Sequence, residues 1–416
     1  VEGEGALELD IQQGQISNVK LRIFEPPRFF EKFVEEHTCD DVIDMVARIC
    51  GICPVAYQMS AAQAFERLFD IDPGQWVRDM RRVMYCGEWL QSHALHIHLL
   101  AAPDFLGFGN AIEMAGKYPD EVRRGLMLQT LGNDLIALFG ARSVHPVGLR
   151  VGGFYHAPSA DEVAALRERL EAALPQAEAL IGWCASLDLP DDRQDFVSVG
   201  LRHPHEYGIY AGNVASDQGL VIDVADWDEH FREIHIPHST ALHAELDGSP
   251  YLVGPLARLN INLDRLPAET AAALQRTGIE FPSDNMFHSM LARAVEIHMA
   301  VLEAIRLLDG YQVPERPWTE WQPRAGVAIG ASEAPRVILW HRYEVDASGH
   351  VTCARIVPPT SQNQGRIEQD IVQSLQAFGL HHDDEALRLR AETVIRNYDP
   401  CISCATHFLT LKVDRS

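Results

Sequence analysis

Two Cys-x-x-Cys pairs stand near opposite ends of the chain, and their residue types could hold a soft metal ion. Cys50 and Cys53 form the first pair, and Cys401 and Cys404 form the second. This spacing allows two thiolates to converge on one metal. Two pairs can therefore supply four sulfur ligands to one site, provided that the fold brings the chain ends together.

The spacing alone leaves three interpretations open. Zinc ribbons place their two pairs about 15 to 20 residues apart, whereas the 347 residues from 54 to 400 lie between these pairs. A chain with a large core also has little need of structural zinc. Thioredoxin-like redox chemistry is disfavoured, because no βαβ pattern surrounds either pair. A catalytic soft-metal centre is the favoured interpretation, and Arg48, Asp399 and His407 beside the pairs could move protons there.

Composition restricts the class of protein. The 416 residues are 47% hydrophobic and carry a formal net charge of −24, from 35 basic and 59 acidic side chains. Such a chain is a poor binder of nucleic acid or of anionic membranes. No apolar run approaches the roughly 18 to 20 residues that span a bilayer. Eight cysteines are too few for a disulfide scaffold. We expect a cytoplasmic protein with reduced thiols.

The elements that must position the cysteines are mainly helices. Amphipathic periodicity predicts helices at about 28–36, 55–69, 75–100, 119–139, 160–185, 268–308 and 364–389, with interruptions near Gly278, Pro282 and Gly379. Alternating patterns predict β-hairpins across 6–24 and 337–356, and further β-like pieces at 144–154, 197–201, 207–211 and 235–243. The predicted fold class is mainly α with peripheral β, an α+β arrangement.

We expect one unit across 1–416, made of four successive parts. Residues 1–54 would hold the N-terminal hairpin and the first Cys motif, and 55–190 the helical core. A β-rich insertion would occupy 191–265, and 266–416 would hold helices, a hairpin and the second Cys motif.

The residues around the two pairs narrow the interpretation. The motifs read Arg48-Ile49-Cys50-Gly51-Ile52-Cys53 and Asp399-Pro400-Cys401-Ile402-Ser403-Cys404-Ala405-Thr406-His407. Together they resemble the two signature motifs of the nickel–iron hydrogenase large subunit. Shorter matching segments extend the likeness along the chain, at 28–31, 92–93, 152–153, 334–336 and 357–363. The resemblance implies the helical large-subunit fold and a catalytic subunit that reversibly cleaves H2 into protons and electrons.

The resemblance also implies a ligand set for the cysteines. In this family four cysteines hold a nickel, and two of them bridge to an iron that carries CO and cyanide. By position, Cys50 and Cys401 would be terminal nickel ligands, and Cys53 and Cys404 would bridge the two metals. The sulfur of a terminal cysteine can accept the proton when H2 splits.

Three charged residues match family positions around the metals. Arg336 matches an arginine above them, where a guanidinium is a fixed cation that helps to polarise H2; the alternative is a surface arginine. Asp399 matches the acid in the same group of residues above the metals. Glu2 matches a glutamate that passes protons away from a nickel-bound cysteine, a role that suits a carboxyl group whose pKa burial raises. The alternative for Glu2 is a frayed terminal residue.

A second, harder metal ion is implied as well, magnesium or iron. Glu31 and His407 match its side-chain ligands, and oxygen and imidazole ligands suit such an ion. Cys353 falls where the family donates a backbone carbonyl. We expect its thiol to be a small buried side chain.

The sequence departs from the family pattern near the metals. Ser92 stands where many relatives have an acid in the group of residues above the metals. Pro359 stands where the membrane-bound branch has a serine that donates a hydrogen bond to a cyanide, so Thr360 or Ser361 would have to supply that donor. One predicted helix carries three histidines that we expect to be core residues rather than metal ligands: His93, His96 and His98.

The flanking sequence most resembles the cytoplasmic, heteromultimeric sulfhydrogenase α-type branch, which couples H2 to NAD(P). This sequence has no further Cys cluster and no Gly-x-Gly-x-x-Gly fingerprint. We therefore expect iron–sulfur clusters on a small subunit, flavin and NAD(P) on diaphorase-type partners, and maturation proteins that load the metals. The alternatives are a cofactor-free scaffold like the homologue within respiratory complex I, which retained cysteines argue against, and a zinc-binding structural module.

The residues after His407 alternate apolar and polar side chains through 408–416, a pattern that predicts a strand. In many relatives a protease removes this tail once nickel is inserted. A segment destined for removal need not pack, so the pattern favours a tail that stays with the protein.

Overall fold

The computed structural model describes residues 5–23, 29–400 and 410–415. Helices dominate this part of the chain. In chain order they are α1 (Phe29–Phe33), α2 (Cys39–Val46), α3 (Pro54–Phe69), α4 (Gln75–Leu95), α5 (Ala102–Leu106), α6 (Ala111–Ala115), α7 (Pro119–Gly140), α8 (Ala160–Ala185), α9 (Trp227–His230), α10 (Pro255–Asn262), α11 (Ala268–Gln275), α12 (Ser289–Leu308), α13 (Pro359–Phe378) and α14 (Asp384–Asn397). A π-helical turn, His96–Ala101, continues α4 without a break.

The strands form small sheets around the helices. They are β1 (Gly5–Gln12), β2 (Gln15–Ile23), β3 (Leu149–Arg150), β4 (Gly153–Phe154), β5 (Val199–Arg202), β6 (Asn213–Ser216), β7 (Val221–Ile222), β8 (Phe231–Ile234), β9 (His243–Leu246), β10 (Gly326–Glu333), β11 (Ile338–Val345), β12 (Val351–Val357) and β13 (Thr410–Arg415). The strand orders are β13-β1-β2, β10-β11-β12 and β5-β6-β7, with the pairs β3-β4 and β8-β9.

Helix α4 is the centre of the helical core. It packs against α7 and α12, and α12 packs in turn against α8. Gly87 of α4 and Gly132 of α7 meet at the crossing of their helices. A Cβ atom on Gly132 would lie 2.5 Å from both the Gln91 nitrogen and the Gly87 oxygen. The two helix backbones therefore approach closely, and α4 is held rigidly where it carries site residues.

The N-terminal sheet joins both ends of the described chain. Strands β1 and β2 form the predicted hairpin, and β13 lies parallel to β1 from the pair Ala6–Thr410 to the pair Ile11–Arg415. The apolar side chains of β1 and β2, such as Leu9 and Leu21, pack into a core shared with α13 and α14. The predicted strand in the tail is confirmed, while its retention in the mature protein stays a prediction.

Most long elements agree with the sequence pattern. The helices predicted at 55–69, 119–139 and 160–185 match α3, α7 and α8 to within one residue. The predicted break near Gly278 and Pro282 separates α11 from α12, and the break near Gly379 separates α13 from α14. The hairpin predicted across 337–356 matches β11 and β12, but the sequence did not indicate the third strand, β10, or helices α2 and α10.

Two predicted strands were wrong. Residues 207–211 form no strand, because Tyr207 and Tyr210 turn into the core and bond to buried charges on Glu296 and Arg81. Residues 235–243 are mostly the loop between β8 and β9. The loop begins near Pro237, which cannot donate to a sheet ladder.

No helix in the described ranges combines the length and hydrophobicity required to cross a bilayer.

We expect Gly132→Ala to destabilise the protein, because the new Cβ atom meets backbone atoms that cannot move aside. Overpacking of this kind costs about 1–3 kcal/mol, and the melting temperature of the full chain should fall accordingly. Gly182→Ala is the matched control, since Gly182 is also helical and nothing lies within 4 Å of a Cβ atom there. Equal melting temperatures for the two variants would contradict the close crossing of α4 and α7.

Candidate metal centre

The first Cys-x-x-Cys pair lies in the turn that leads into α3. Cys53 is the N-cap residue of that helix, and Pro54 is its first residue. Both thiols are buried, with Cys50 6% exposed and Cys53 0%. The Ile52 N–H donates to Cys50 Sγ over 3.4 Å. A helix N-terminus favours nearby negative charge, so the turn suits two thiolate ligands.

Glu88, on α4, stabilises the start of α3, and sequence reasoning missed it. Its carboxylate accepts the Val55 N–H at 2.6 Å and the Ala56 N–H at 3.1 Å. These bonds satisfy two N–H groups that a helix start leaves unpaired. Complete burial raises the pKa of Glu88 well above its usual range, although the two N–H bonds oppose that shift. A carboxyl group that can hold a proton is therefore fixed beside the first Cys motif.

Glu88, Ser92 and His96 are four residues apart and share one face of the helix. The Ser92 hydroxyl is buried and has no hydrogen-bond partner among the described residues. His96 Nε2 donates to the Arg396 carbonyl over 2.7 Å. Burial, together with the charge of Arg293, lowers the pKa of His96 to about 3, so its imidazole is neutral. This face runs from the first Cys motif to the end of α14.

Arg336 and Asp399 form a buried ion pair just before the second Cys motif. Arg336 Nε lies 3.0 Å from Asp399 Oδ2, and the side chains are 3% and 1% exposed. Asp399 follows α14 in the left-handed region, with φ +51°. With Pro359 and Tyr398, the pair lines a small cavity of about 10 Å³. The structure therefore brings together two of the predicted site residues, and Arg336 is not the surface arginine of the alternative interpretation.

Arg258, on α10, fixes the backbone that carries Arg336. Its guanidinium donates to the Ala334 carbonyl at 2.9 Å and to the Pro335 carbonyl at 2.7 Å. Gly254 permits close packing here, because a Cβ atom at that position would lie 2.4 Å from the Arg336 oxygen. Arg336 is thus positioned through its backbone as well as through Asp399.

Glu296, on α12, supplies the counter-charge for Arg258. It accepts from Arg258 Nε at 2.9 Å and Nη2 at 2.8 Å, from His93 Nε2 at 2.8 Å and from the Tyr207 hydroxyl at 2.9 Å. Burial acts to raise the pKa of Glu296, but the charge and hydrogen bonds of Arg258 outweigh it and hold the pKa at about 2. His93 is a core histidine, as expected.

A second buried polar group lies behind the cavity that Arg336 and Asp399 line. Asp370 of α13 is 1% exposed and accepts a hydrogen bond from Gln194. Burial and the charge of Asp192 raise the pKa of Asp370 to about 7. This carboxyl group can therefore change its protonation near neutral pH.

The residues predicted for a second metal ion lie on neighbouring elements where the structure describes them. The Ile356 N–H, on β12, donates to Glu31 Oε1 over 2.8 Å. Cys353 lies on the same strand, paired with Glu344 of β11. The expectation that its thiol is buried was wrong, because its side chain is exposed. Thr352 and Cys353 are adjacent and both exposed, and the backbone carbonyl of Cys353 remains the candidate ligand.

Several predicted site residues lie outside the described residues: Glu2, Cys401, Cys404 and His407. Of the two candidate hydrogen-bond donors, the Ser361 hydroxyl donates to the Pro358 carbonyl at 3.1 Å. The Thr360 side chain lies outside the described part of the structure.

The residues missed from the sequence share one signal. Each is a charged residue between apolar or uncharged neighbours inside a buried helix, and the set is Glu88, Arg258, Glu296 and Asp370. Buried charges are rare unless they are paired. A search for such positions would have found them.

Comparisons with known proteins identify the family and the fold of the chain. The profile of a family described as nickel-dependent hydrogenase matches residues 28–127 and 243–407. The chain is 31% identical to sulfhydrogenase 1 subunit alpha of Pyrococcus furiosus, over 99% of this chain and 96% of that protein. It is 27% identical to the beta subunit of the NAD-reducing hydrogenase HoxS of Cupriavidus necator, over 98% and 93% of the two chains.

Solved structures share the fold. A crystal structure of an NAD+-reducing NiFe-hydrogenase in the H2-reduced state matches with a TM-score of 0.84 and 27% identity, over 94% of each chain. The Ni-Fe-Se hydrogenase of Desulfomicrobium baculatum matches with a TM-score of 0.74 and 20% identity, over 96% of each chain, which bears on the fold alone.

The chain belongs to the nickel-dependent hydrogenase family. Within that family it is a large subunit, an oxidoreductase that acts on H2. The predicted family and the α+β fold class are confirmed, and family membership implies a nickel–iron centre.

The described residues fit such a centre. Two buried thiols provide the soft ligands that nickel and iron favour. A buried cation, Arg336, lies with Asp399 directly before the second Cys motif. The Ser92 hydroxyl has no hydrogen-bond partner in the described ranges, so a donor remains for a bound group.

We expect Asp370→Asn to change how stability depends on pH. The pKa of Asp370 is about 7 in the folded chain, against an ordinary value of 3.8. A carboxyl group with a raised pKa contributes stability at low pH that is lost as pH rises through the folded pKa. The melting temperature of the variant minus that of the wild type should therefore increase from about pH 5 to about pH 8. Asp188→Asn, at an exposed position, is the control, and a pH-independent difference for Asp370→Asn would contradict the raised pKa.

Proposed function

We propose that this chain is the catalytic subunit of a cytoplasmic, heteromultimeric hydrogenase that passes electrons from H2 to NAD(P). Cys50, Cys53, Cys401 and Cys404 would hold its nickel–iron centre, for which their thiolates are suitable soft ligands. When bound, that centre polarises H2 and takes up its electron pair. The chain's own residues hold the centre, position a cation beside it and accept the protons.

The observation that supports this most strongly is the buried Arg336–Asp399 pair. Its two members come from distant parts of the sequence, yet Nε and Oδ2 lie 3.0 Å apart. Asp399 is two residues before Cys401, so the guanidinium is held next to the second Cys motif. A cation that is fixed in advance in a water-poor site stabilises developing negative charge without reorganisation.

Carboxyl groups on this chain can hold the released protons. Glu88 has its pKa raised by burial and lies close enough to Cys50 for their charges to interact. Glu2 is the second such group, by its match to the family position. A carboxyl group whose pKa is raised above its ordinary value can hold a proton and later pass it on.

A second metal site completes the proposed large subunit. Glu31 and His407 supply side-chain ligands, and the Cys353 carbonyl supplies a third, for magnesium or iron. Glu31 and the strand that carries Cys353 are already joined by a hydrogen bond. Thr360 or Ser361 would supply a hydrogen-bond donor to the diatomic ligands of the iron, and Ser361 would exchange its bond to the Pro358 carbonyl for that role.

The partners follow from what the sequence lacks and from its relatives. Relatives are the alpha subunit of a sulfhydrogenase and the beta subunit of an NAD-reducing hydrogenase, whose names indicate assemblies. This sequence has no further Cys cluster for electron relays. An iron–sulfur small subunit and diaphorase-type subunits with flavin and NAD(P) therefore accompany it, and maturation proteins load the metals. We propose no nucleic-acid partner and no membrane-spanning segment.

The direct test is H2-dependent reduction of NAD+ and of NADP+ by the co-purified complex. Reduction of either nucleotide supports the proposal, and the faster one identifies the acceptor. A complex with a full complement of nickel and iron that reduces neither nucleotide with H2 would overturn the proposed acceptor.

We expect Arg336→Lys and Asp399→Asn each to lower H2 oxidation by about 100-fold or more. Lysine keeps the charge but loses the planar, bidentate geometry of the guanidinium. Nickel and iron content should be measured in each variant, so that lost catalysis is separated from lost metal. Arg202→Lys, at the surface ion pair with Asp264, is the matched control. Normal turnover by Arg336→Lys at full metal content would contradict the assigned role.

A further inference from the structure

A cluster of two histidines and one glutamate lies apart from the residues assigned to the metal centre. His238 lies in the loop between β8 and β9, His243 begins β9, and Glu368 lies on α13. One potential ligand atom from each residue lies within 4.8 Å of the others. Among the described residues this is the one group of three or more such side chains that meets this spacing.

One potential ligand atom of the cluster has no hydrogen-bond partner among the described residues. His238 Nε2 lies 2.8 Å from Glu368 Oε1, which also accepts the Leu21 N–H over 2.8 Å. His243 is 6% exposed. Its Nε2 is buried without a hydrogen-bond partner in the described part of the chain. A buried polar atom without a hydrogen bond costs folding free energy, and a metal ion bound to this nitrogen would remove that cost.

The chemistry of the set matches a borderline divalent transition metal. Neutral imidazoles and a carboxylate are common zinc ligands. Burial and the neighbouring His238 lower the pKa of His243 to about 4, so its imidazole is neutral and able to coordinate. Tetrahedral zinc spaces its ligand atoms about 3.3 Å apart, so binding would draw together three atoms that lie within 4.8 Å of one another. The two rings are nearly perpendicular, at 84°.

We propose that His238, His243 and Glu368 bind a zinc ion that links the N-terminal sheet to the rest of the protein. Glu368 already connects α13 to β2 through the Leu21 N–H, and both histidines come from the β8–β9 region. The ion therefore joins two segments that are distant in the sequence, and the Leu21 bond to Glu368 connects them to the N-terminal sheet. Water occupies its remaining coordination position.

The zinc site lies on α13, away from the end of this helix that approaches the metal centre. That helix begins at Pro359, which lines the cavity beside Arg336 and Asp399. The zinc site uses none of the residues assigned to the nickel–iron centre. Its failure would leave the proposed function untouched, and failure of the proposed function would leave the zinc site untouched.

The test compares zinc content in the purified, nickel-loaded complex after equilibration with zinc chloride and dialysis. We expect the wild type to retain about one zinc per chain more than Glu368→Gln or His243→Ala. Glu368→Gln keeps the shape of the side chain, and its nickel content and H2 oxidation should match the wild type. Zinc should raise the melting temperature of the wild-type complex by several degrees and leave both variants unchanged.

The control is the double variant His203→Ala, His205→Ala, which removes a partly exposed histidine pair with rings 5.9 Å apart. It should keep the wild-type zinc content. Equal zinc in the wild type and Glu368→Gln, with no zinc-dependent change in melting temperature, would overturn the proposal. The cluster would then be only a hydrogen bond between His238 and Glu368.

Discussion

The position of Arg336 depends on a buried guanidinium held between two carboxylates. Arg258, Glu296 and Glu333 are all 0% exposed. Removing such charges from water costs several kcal/mol per ion, so the group persists only because its charges are paired and hydrogen-bonded. Glu333 accepts the Leu201 N–H at 2.7 Å, and the Arg258 guanidinium lies 4.4 Å from the centre of the Trp89 ring. The remaining donors of Arg258 fix the two carbonyls that precede Arg336.

The same network sets different protonation states on two nearby acids. Glu296 has two hydrogen bonds from Arg258 and a pKa of about 2. Burial raises the pKa of Glu333 to about 7. Arg258 makes a single hydrogen bond to Glu333 and so opposes the effect of burial less than it does at Glu296. One acid is a permanent anion and the other can be neutral. The buried core around Arg258 therefore need not carry two full negative charges at neutral pH.

A parallel constraint places Asp399 at the other end of the chain. Arg396, on the last turn of α14, makes two bonds to Asp104 at 2.7 and 2.9 Å. Its carbonyl accepts from His96 and from the Asp399 N–H. Helix α14 is thereby locked against the extension of α4, and Asp399 leaves it in a fixed direction toward Arg336.

The sequence was most informative where a local pattern decides the outcome. Helix α8 begins at a capping box on Ser159 and Glu162, and such starts can be read locally. The Cys motifs identified the family because their flanking residues are specific. Arg258 and Glu296 carry a local signal as charges between apolar neighbours, but their pairing could not be predicted, because it joins α10, α12 and β10 through contacts that no local pattern records. Tyr207 was misjudged for the same reason, since a buried acid outweighed its strand propensity.

In the proposed arrangement, the fold brings the two Cys motifs together around nickel and iron. Metal analysis of the purified complex, combined with infrared spectroscopy, can detect that centre. We expect about one nickel and about one iron per chain at this site, beyond the iron of the partner clusters, with bands from iron-bound CO and cyanide. Cys50→Ser should lose the nickel. Zinc alone at the cysteines, with no such bands in a fully matured complex, would contradict the account.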